Sequence, residues 1–322
     1  MSQPLVPEKV FQLNHATEVA RIAEVLRNAL ARDLNRRGLV VAMSGGIDSS
    51  VCAALAVQAV GPKKVYGLLL PERDSSPDSM RRGRLLAEHL GIEYTVEDIT
   101  AALEALGCYR RRDEVCKTVF PAYGADWKYK IILTGGLEGR YNHFKLIAQN
   151  PAGEVSETRL ELRQYLQMVA ATNFKQRVRK TLEYYHADRL NYAVVGTPNR
   201  LEYDQGFFVK NGDGAADVKP IAHLYKSQVY ALARFMCLPE EICSAIPTTD
   251  TYSLPQGQDE FYFGLPYGQM DLALWGYEHD VEPEVLAVSL GIAVAAAQAV
   301  YRDIEAKRRV AKYLHAGPIL VD

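Results

Sequence analysis

Apolar positions along the chain recur at two spacings that take turns. Over His15–Arg37, Val19, Ile22, Leu26, Leu30 and Leu34 return every three or four residues with arginines between them. That spacing predicts an amphipathic helix, closed by Gly38. Leu39–Met43 is a short unbroken apolar run, the mark of a strand buried on both faces. Ser44-Gly45-Gly46-Ile47-Asp48-Ser49-Ser50 follows, then an alanine-rich helical stretch to Val60. The rhythm returns with a strand at Val65–Leu70, a helix at Asp78–Leu90 closed by Gly91, and a strand at Ile92–Glu97. A long helical stretch at Glu161–His186 leads to another buried strand, Asn191–Val195. Helices near His223–Cys237, Gln269–Gly276 and Ile292–Tyr313 complete the pattern. Strands alternating with helices predict an α/β fold: a doubly wound, mostly parallel sheet with helices on both faces.

The stretch Gly107–Leu160 breaks the alternation. It holds an apolar segment, Tyr129–Thr134, and a predicted hairpin of His143–Gln149 and Glu154–Thr158 around Asn150-Pro151-Ala152-Gly153. We expect an insertion there, an edge sheet or a lid on the α/β body. No Gly/Ser/Pro-rich linker divides the chain, so residues 1–322 are expected to form one domain with 107–160 inserted in it.

Composition narrows the class. With 322 residues, 48% hydrophobic and 24% charged, the chain can bury a sizeable core without disulfide or metal staples. A net charge of −2 argues against a broad basic surface for duplex nucleic acid, although a local basic cleft stays allowed. The five cysteines (Cys52, Cys108, Cys116, Cys237, Cys243) form no regular framework. No secretory leader opens the chain and no membrane-length apolar run occurs in it. The expectation is a cytoplasmic protein with reduced thiols.

The strongest chemical signal is the hexapeptide Ser44–Ser49 between a buried strand and a helix. Glycines let the backbone turn tightly and approach a ligand, and the free N–H groups of the next helix favour an anion. Ser44, Ser49 and Ser50 add hydroxyls. Asp48 is out of place beside phosphate unless a Mg²⁺ bridges the two. Without its setting, a Gly-Gly pair capped by Ser and Asp reads equally well as an ordinary turn.

Ser-Gly-Gly-x-Asp-Ser resembles the pyrophosphate loop of the N-type ATP pyrophosphatases, which activate a carboxylate or carbonyl oxygen as an adenylate. Further segments, in order, resemble the NAD synthetases of that group. They are Leu70-Pro71-Glu72-Arg73-Asp74-Ser75-Ser76, Asn173-Phe174-Lys175-Gln176-Arg177-Val178-Arg179, and Gly196-Thr197-Pro198-Asn199-Arg200-Leu201-Glu202. Gly206-Phe207-Phe208 leading to Gly212-Asp213-Gly214 and Asp217 follows, then Leu224-Tyr225-Lys226-Ser227-Gln228, Pro247-Thr248-Thr249-Asp250, Asp259-Glu260 and Gly264-Leu265-Pro266-Tyr267.

The resemblance implies an ATP and pyrophosphate site at Ser44, Gly45, Gly46, Asp48, Ser49, Ser50, Leu70 and Thr197. It implies a dinucleotide site at Asn173, Arg177, Lys210, Asp213 and Asp217. Asp48 and Glu202 are the implied metal pair, and Lys210, Lys226, Thr249 and Asp250 the implied catalytic groups. Each has a bland counterpart: Glu202 as a surface carboxylate on a helix, either lysine as a solvated side chain, Asn211-Gly212-Asp213-Gly214 as a tight turn, Thr249-Asp250 as a helix cap. Arg177 and Arg179, two apart on a helix, point in different directions and cannot both serve one small ligand from one face.

The activity implied is amidation of nicotinic acid adenine dinucleotide, with ATP and Mg²⁺, through an acyl adenylate. Only about 38 residues precede the first strand and none is cysteine. Ammonia is therefore expected from solution or from a separate glutaminase. A homodimer is also implied, with the early helix and the Glu161–His186 helix as candidate contacts. Three features depart from the family pattern: the length of 107–160, Pro198, and a C-terminal Lys307-Arg308-Arg309 that matches loosely. They leave two alternatives, a same-fold ligase acting on another carboxylate and an adenylating sulfur-transfer enzyme acting on tRNA.

Overall fold

The computed structural model describes residues 4–134, 143–245, 251–257, 262 and 265–321. Seven strands fall into two sheets. The first joins β1 (Leu39–Ala42), β2 (Val65–Leu69), β3 (Glu93–Val96) and β7 (Ala193–Val195) in the order β3-β2-β1-β7, with every pair parallel. The second is antiparallel: β4 (Lys128–Thr134), β5 (His143–Gln149) and β6 (Val155–Arg159), in that order. The helices are α1 (Pro7–Val10), α2 (His15–Asn28), α3 (Ile47–Val60), α4 (Pro77–Leu90), α5 (Thr100–Ala105), α6 (Cys108–Val119) and α7 (Leu162–Leu190). After β7 come α8 (Arg200–Gln205), α9 (Lys226–Phe235), α10 (Glu240–Cys243), α11 (Tyr267–Glu278), α12 (Pro283–Leu290) and α13 (Val294–His315).

The parallel sheet is sandwiched as its sequence requires. Side chains alternate along a strand, so Leu39 and Val41 of β1 pack with Ile22, Leu26, Val51, Leu55 and Val229 on one face. Val40 turns the other way, onto Leu68, Val194, Leu103 and Tyr109. A third core under α11–α13 gathers Met270, Leu274, Leu286, Val300 and Ile304. The fourth joins α6 and the antiparallel sheet through Val115, Tyr129, Ile131, Leu146 and Met168. No single helix among the described residues is long and apolar enough to cross a membrane.

Several expectations shift in detail. The first long helix ends at Asn28 and runs on as a π-helical turn, Ala29–Asp33, and the chain reverses at Asn35 with φ 51°, not at Gly38. Gly38 serves a close approach instead: a Cβ there would lie 2.4 Å from the Lys64 carbonyl oxygen and 2.6 Å from the Tyr192 ring. Helix α6 lies inside the stretch read as an interruption. Within it Cys108 and Cys116 are buried, and burial pushes their thiols up to about 11 and about 12. Neither is poised as the thiolate that sulfur transfer needs.

Leu146 pairs with Ile131 on one side and Thr158 on the other, fully buried. Leu146→Ala should lower the free energy of unfolding by about 2–4 kcal/mol, read from urea midpoints. A loss below about 1 kcal/mol would mean that the small sheet does not share the core.

Candidate functional site

Strands β1, β2 and β7 end on the same edge of the parallel sheet, where open α/β sheets gather ligands. The loop after β1 passes against the first turn of α4. Gly45 has φ +76°, and a Cβ on it would meet the Ser79 carbonyl oxygen at 2.4 Å, so only glycine fits. Arg82 of α4 donates from Nε to the Gly45 carbonyl at 3.0 Å and pins the loop from outside. Helix α3 starts from Gly46 with no side-chain cap, leaving a dipole of fourteen residues directed at the loop. The Ser44 and Ser49 hydroxyls lie 3.2 Å apart and line the cavity. Ser50 does not. It is buried, and its hydroxyl donates to the Gly46 carbonyl at 2.8 Å, one turn back along α3.

Asp48, on the first turn of α3, meets two groups brought from far along the chain. Lys226 opens α9, is 1% exposed, and donates from Nζ to Asp48 Oδ2. Asn199 Nδ2 donates to Asp48 Oδ1 at 3.3 Å. Asn199 also caps α8: its Oδ1 accepts from the Glu202 amide at 3.1 Å, and Glu202 Oε2 accepts from the Asn199 amide at 3.2 Å. Glu202 is thereby held beside Asp48, buried and not on the surface. Burial, followed by the charge of Asp48, pushes the Glu202 carboxyl up to about 8, with Lys226 opposing both. Burial alone would depress the Lys226 ammonium, but Asp48 and Glu202 outweigh it and hold it above its ordinary value. The locality is short of positive charge by about one cation.

A cavity of about 650 Å³ runs from the loop to α7 and the end of α13. Leu70, Thr197, Asn173, Arg177, Lys210 and Asp213 all line it. Lys210, however, is engaged: its Nζ donates to the carbonyls of Tyr313 at 2.8 Å and Ala316 at 2.7 Å, closing the C-terminal end of α13. It supports the wall rather than pointing a free ammonium at ligand. Asp213 Oδ1 accepts from the Val209 amide at 2.7 Å and ties its loop. Asp217 is not among the lining residues. It accepts from the Val194 amide at 2.7 Å and from the Tyr184 hydroxyl at 3.3 Å, fastening the edge of β7. Arg177 and Arg179 do diverge, one toward the Lys210 carbonyl and one toward that of Leu70, yet both line this cavity because it wraps around α7. Thr249, Asp250, Asp259 and Glu260 lie outside the described residues.

Sequence reasoning missed Lys180 and Glu183, which line the cavity and form a buried ion pair at 2.5 Å. The signal was present: Asn173, Gln176, Lys180 and Glu183 recur every three or four residues on one face of α7.

Every group at this end of the cavity suits phosphate: a tight glycine turn, a bare helix start, hydroxyls, and carboxylates needing a cation. The class so defined is the α/β enzymes that bind a nucleotide triphosphate at the C-terminal edge of a parallel sheet. Residues 18–118 and 141–311 match the NAD synthase family. An NH(3)-dependent NAD(+) synthetase from Rhizobium meliloti (strain 1021) is 56% identical over 312 residues, 97% of this chain and 93% of that protein. Among solved structures, an NMN synthetase from Francisella tularensis superposes with a TM-score of 0.65 at 22% identity, covering 97% of this chain and 100% of that one. An NH3-dependent NAD synthetase from Campylobacter jejuni gives 0.62 at 19% identity, covering 96% and 100%. The two structures speak for the fold. The chain belongs to the NAD synthase family.

Because its folded carboxyl titrates near 8 against an ordinary 4.5, Glu202 keeps a proton in the folded state that the unfolded chain has released. Stability of the metal-free protein should therefore fall as pH rises between those values. Glu202→Gln should remove that slope, gaining on the order of a few kcal/mol over the parent at pH 8.5 and little at pH 4.5. Urea titrations in EDTA read this directly. Equal slopes for the two proteins would show that burial and the charge of Asp48 do not raise the Glu202 carboxyl.

Proposed function

We propose that the chain amidates nicotinic acid adenine dinucleotide with ammonia, using ATP and releasing AMP and pyrophosphate. The observation that carries this reading is the one continuous cavity, lined by the glycine turn and the Asp48–Lys226–Glu202 cluster at one end and by the polar face of α7 at the other. In the first step a carboxylate oxygen of the dinucleotide attacks the α-phosphorus of ATP, and the bond to pyrophosphate breaks. In the second, ammonia attacks the acyl carbon, loses a proton, and AMP leaves.

The residues do this work by alignment and charge. Ser44, Ser49 and the bare start of α3 receive the leaving pyrophosphate. Lys226, fixed at the first turn of α9, faces the charge that develops on the bridging oxygen. Leu70 and Thr197 frame the adenosine side; Asn173, Arg177 and Asp213 border the dinucleotide side. Thr249 and Asp250, taken from the family resemblance, are assigned to the acyl phosphate and the incoming ammonia.

A Mg²⁺ fits the donors present. Two carboxylates, Glu202 buried and Asp48 half-buried, share one locality, and the elevated Glu202 marks a deficit of positive charge. Asp48 and Glu202 would hold the ion, with ATP phosphate oxygens completing its shell. When bound it neutralises phosphate charge and draws electrons from phosphorus. Asp48 then contributes a fixed charge, while the Asn199 bridge keeps Asp48 and Glu202 in register.

For the second copy, α7 presents Leu162 (72% exposed) and Leu166 (55% exposed) one turn apart. That pair supports a homodimer built on this helix. We also retain a single domain over residues 1–322, a cytoplasmic setting, and ammonia delivered free or by a separate glutaminase.

The test is to incubate the protein with ATP, Mg²⁺, ammonium and the dinucleotide acid, and to measure NAD and pyrophosphate. Stoichiometric formation of both is expected. Pyrophosphate release only with another acid would transfer the reading to a different carboxylate. Asp48→Asn should lose at least about 100-fold in kcat while staying folded. Near-normal turnover would remove Asp48 from the metal pair. Leu166→Glu should shift the sedimentation coefficient from dimer to monomer, and an unchanged value would take α7 out of the interface.

A further inference from the structure

Helix α9 begins in an unusual way. Lys226 is its first residue; the Tyr225 amide before it is taken by Gln228 Oε1 at 3.0 Å, while the amides of Lys226 and Ser227 turn elsewhere. The acceptor comes from another helix. Asp271 of α11 takes the Ser227 amide at 2.9 Å, the Ser227 hydroxyl at 2.5 Å and the Lys226 amide at 3.3 Å. Its carboxylate is wholly buried. A buried carboxylate is costly to keep, and these partners only partly offset that cost. Burial raises its carboxyl above the ordinary value, against the pull of Ser227.

Two more residues of α11 converge on the same place. The Tyr267 ring lies beneath the Lys226 ammonium, with Nζ 4.9 Å from its centroid. Glu278 accepts from the Tyr225 hydroxyl at 2.7 Å and takes a two-pronged contact from Arg200, at 2.7 and 3.1 Å. Arg200 stands two residues before Glu202, on α8. Positions 267, 271 and 278 are spaced four and seven apart and so share one stripe of α11. One helix face therefore contacts the ammonium, the amide and the preceding residue of Lys226, and reaches the helix that carries Glu202.

We propose that Asp271 is a positioning residue for the reaction: from α11 it fixes the first turn of α9, and with it the place of the Lys226 ammonium against Asp48. This rests on the role given to Lys226 above. Asp271 touches no substrate. Losing it leaves two amides and a hydroxyl without their acceptor and lets the first turn of α9 move. A displacement of about 1 Å at a group facing developing charge is worth about 100-fold in rate.

A double-mutant cycle tests it. Asp271→Ala, Lys226→Gln and the double variant are compared with the parent protein for kcat and for the KM of ATP. The rate read is pyrophosphate release, well below each melting temperature. Asp271→Ala should lower kcat about 10- to 100-fold with a smaller change in KM. In the Lys226→Gln background it should cost less than about twofold more, because the group it positions has gone. Asp271→Asn, whose amide oxygen still accepts an N–H, should restore most of the rate. An equal loss in both backgrounds, or a folded Asp271→Ala within threefold of the parent, would overturn the proposal. If Asp271→Ala does not fold, Asp271→Ser enters the cycle in its place with the same criteria. The parent protein serves as control: absence of NAD there strikes the proposed function, whereas an active parent with an indifferent Asp271→Ala strikes only the positioning role.

Discussion

The ion pair between Asp48 and the buried Lys226 is the constraint around which this molecule is built. Lys226 and Glu202 are removed from water at the edge of the parallel sheet, and Asp48 beside them is only half-buried. Charges in such a place are tolerated only when their partners are fixed by other bonds. The three arrive on three separate helices, α3, α8 and α9, so each helix start has to be held independently. Gly46 opens α3, the Asn199–Glu202 capping box opens α8, and Asp271 receives the first amides of α9. The C-terminal helical layer, which has a hydrophobic core of its own, is thus coupled directly to the Asp48–Lys226 pair.

A second buried network braces the other side of the cavity. Lys175 of α7, fully buried, donates to Glu72 at 2.9 Å, Asp74 at 2.7 Å and the Thr251 carbonyl at 2.8 Å. Arg112 of α6 adds a contact to Asp74 at 2.8 Å, and Tyr109 donates to Glu72 at 2.8 Å. The loop after β2, which borders the cavity at Leu70 and Ser75, is therefore held from α6 and α7, the helices that precede and follow the antiparallel sheet in the chain. In the folded chain Arg112 is a buried brace, and Arg110 pairs with Glu114 at the surface.

The fold was legible wherever a pattern was local. β1 lies within a residue of its predicted bounds, α3 ends where expected but starts four residues sooner, at Ile47, and the three strands of the antiparallel sheet lie within a residue of theirs, two of them around the Pro-Gly turn. Helix α12 was not legible, because it is short, apolar and without periodicity, and only Leu286 and Ala287 of its residues are buried. In the site, the glycine turn and the carboxylates stood out because their spacing has few structural uses. Ser50, Lys210 and Asp217 were harder. Each carries a side chain suited to a ligand, and each bonds instead to protein carbonyl or amide groups, Ser50 to one a helical turn away and Lys210 and Asp217 to groups that the sequence does not bring near them.

By itself the sequence determined the alternation of strands and helices, the phosphate loop and the order of the family segments. These depend on residues within a turn or a strand of one another, where backbone preference and periodicity act directly. Tertiary structure alone decided which charges meet. Asp48 and Lys226 are separated by 178 positions, and Asp271 lies 45 beyond Lys226. No local pattern encodes such pairings. They follow from how α3, α9 and α11 pack, and burial then gives each meeting its chemical weight: a carboxyl at Glu202 that holds its proton, an ammonium at Lys226 that keeps its charge, and a carboxylate at Asp271 whose work is to hold that ammonium in place.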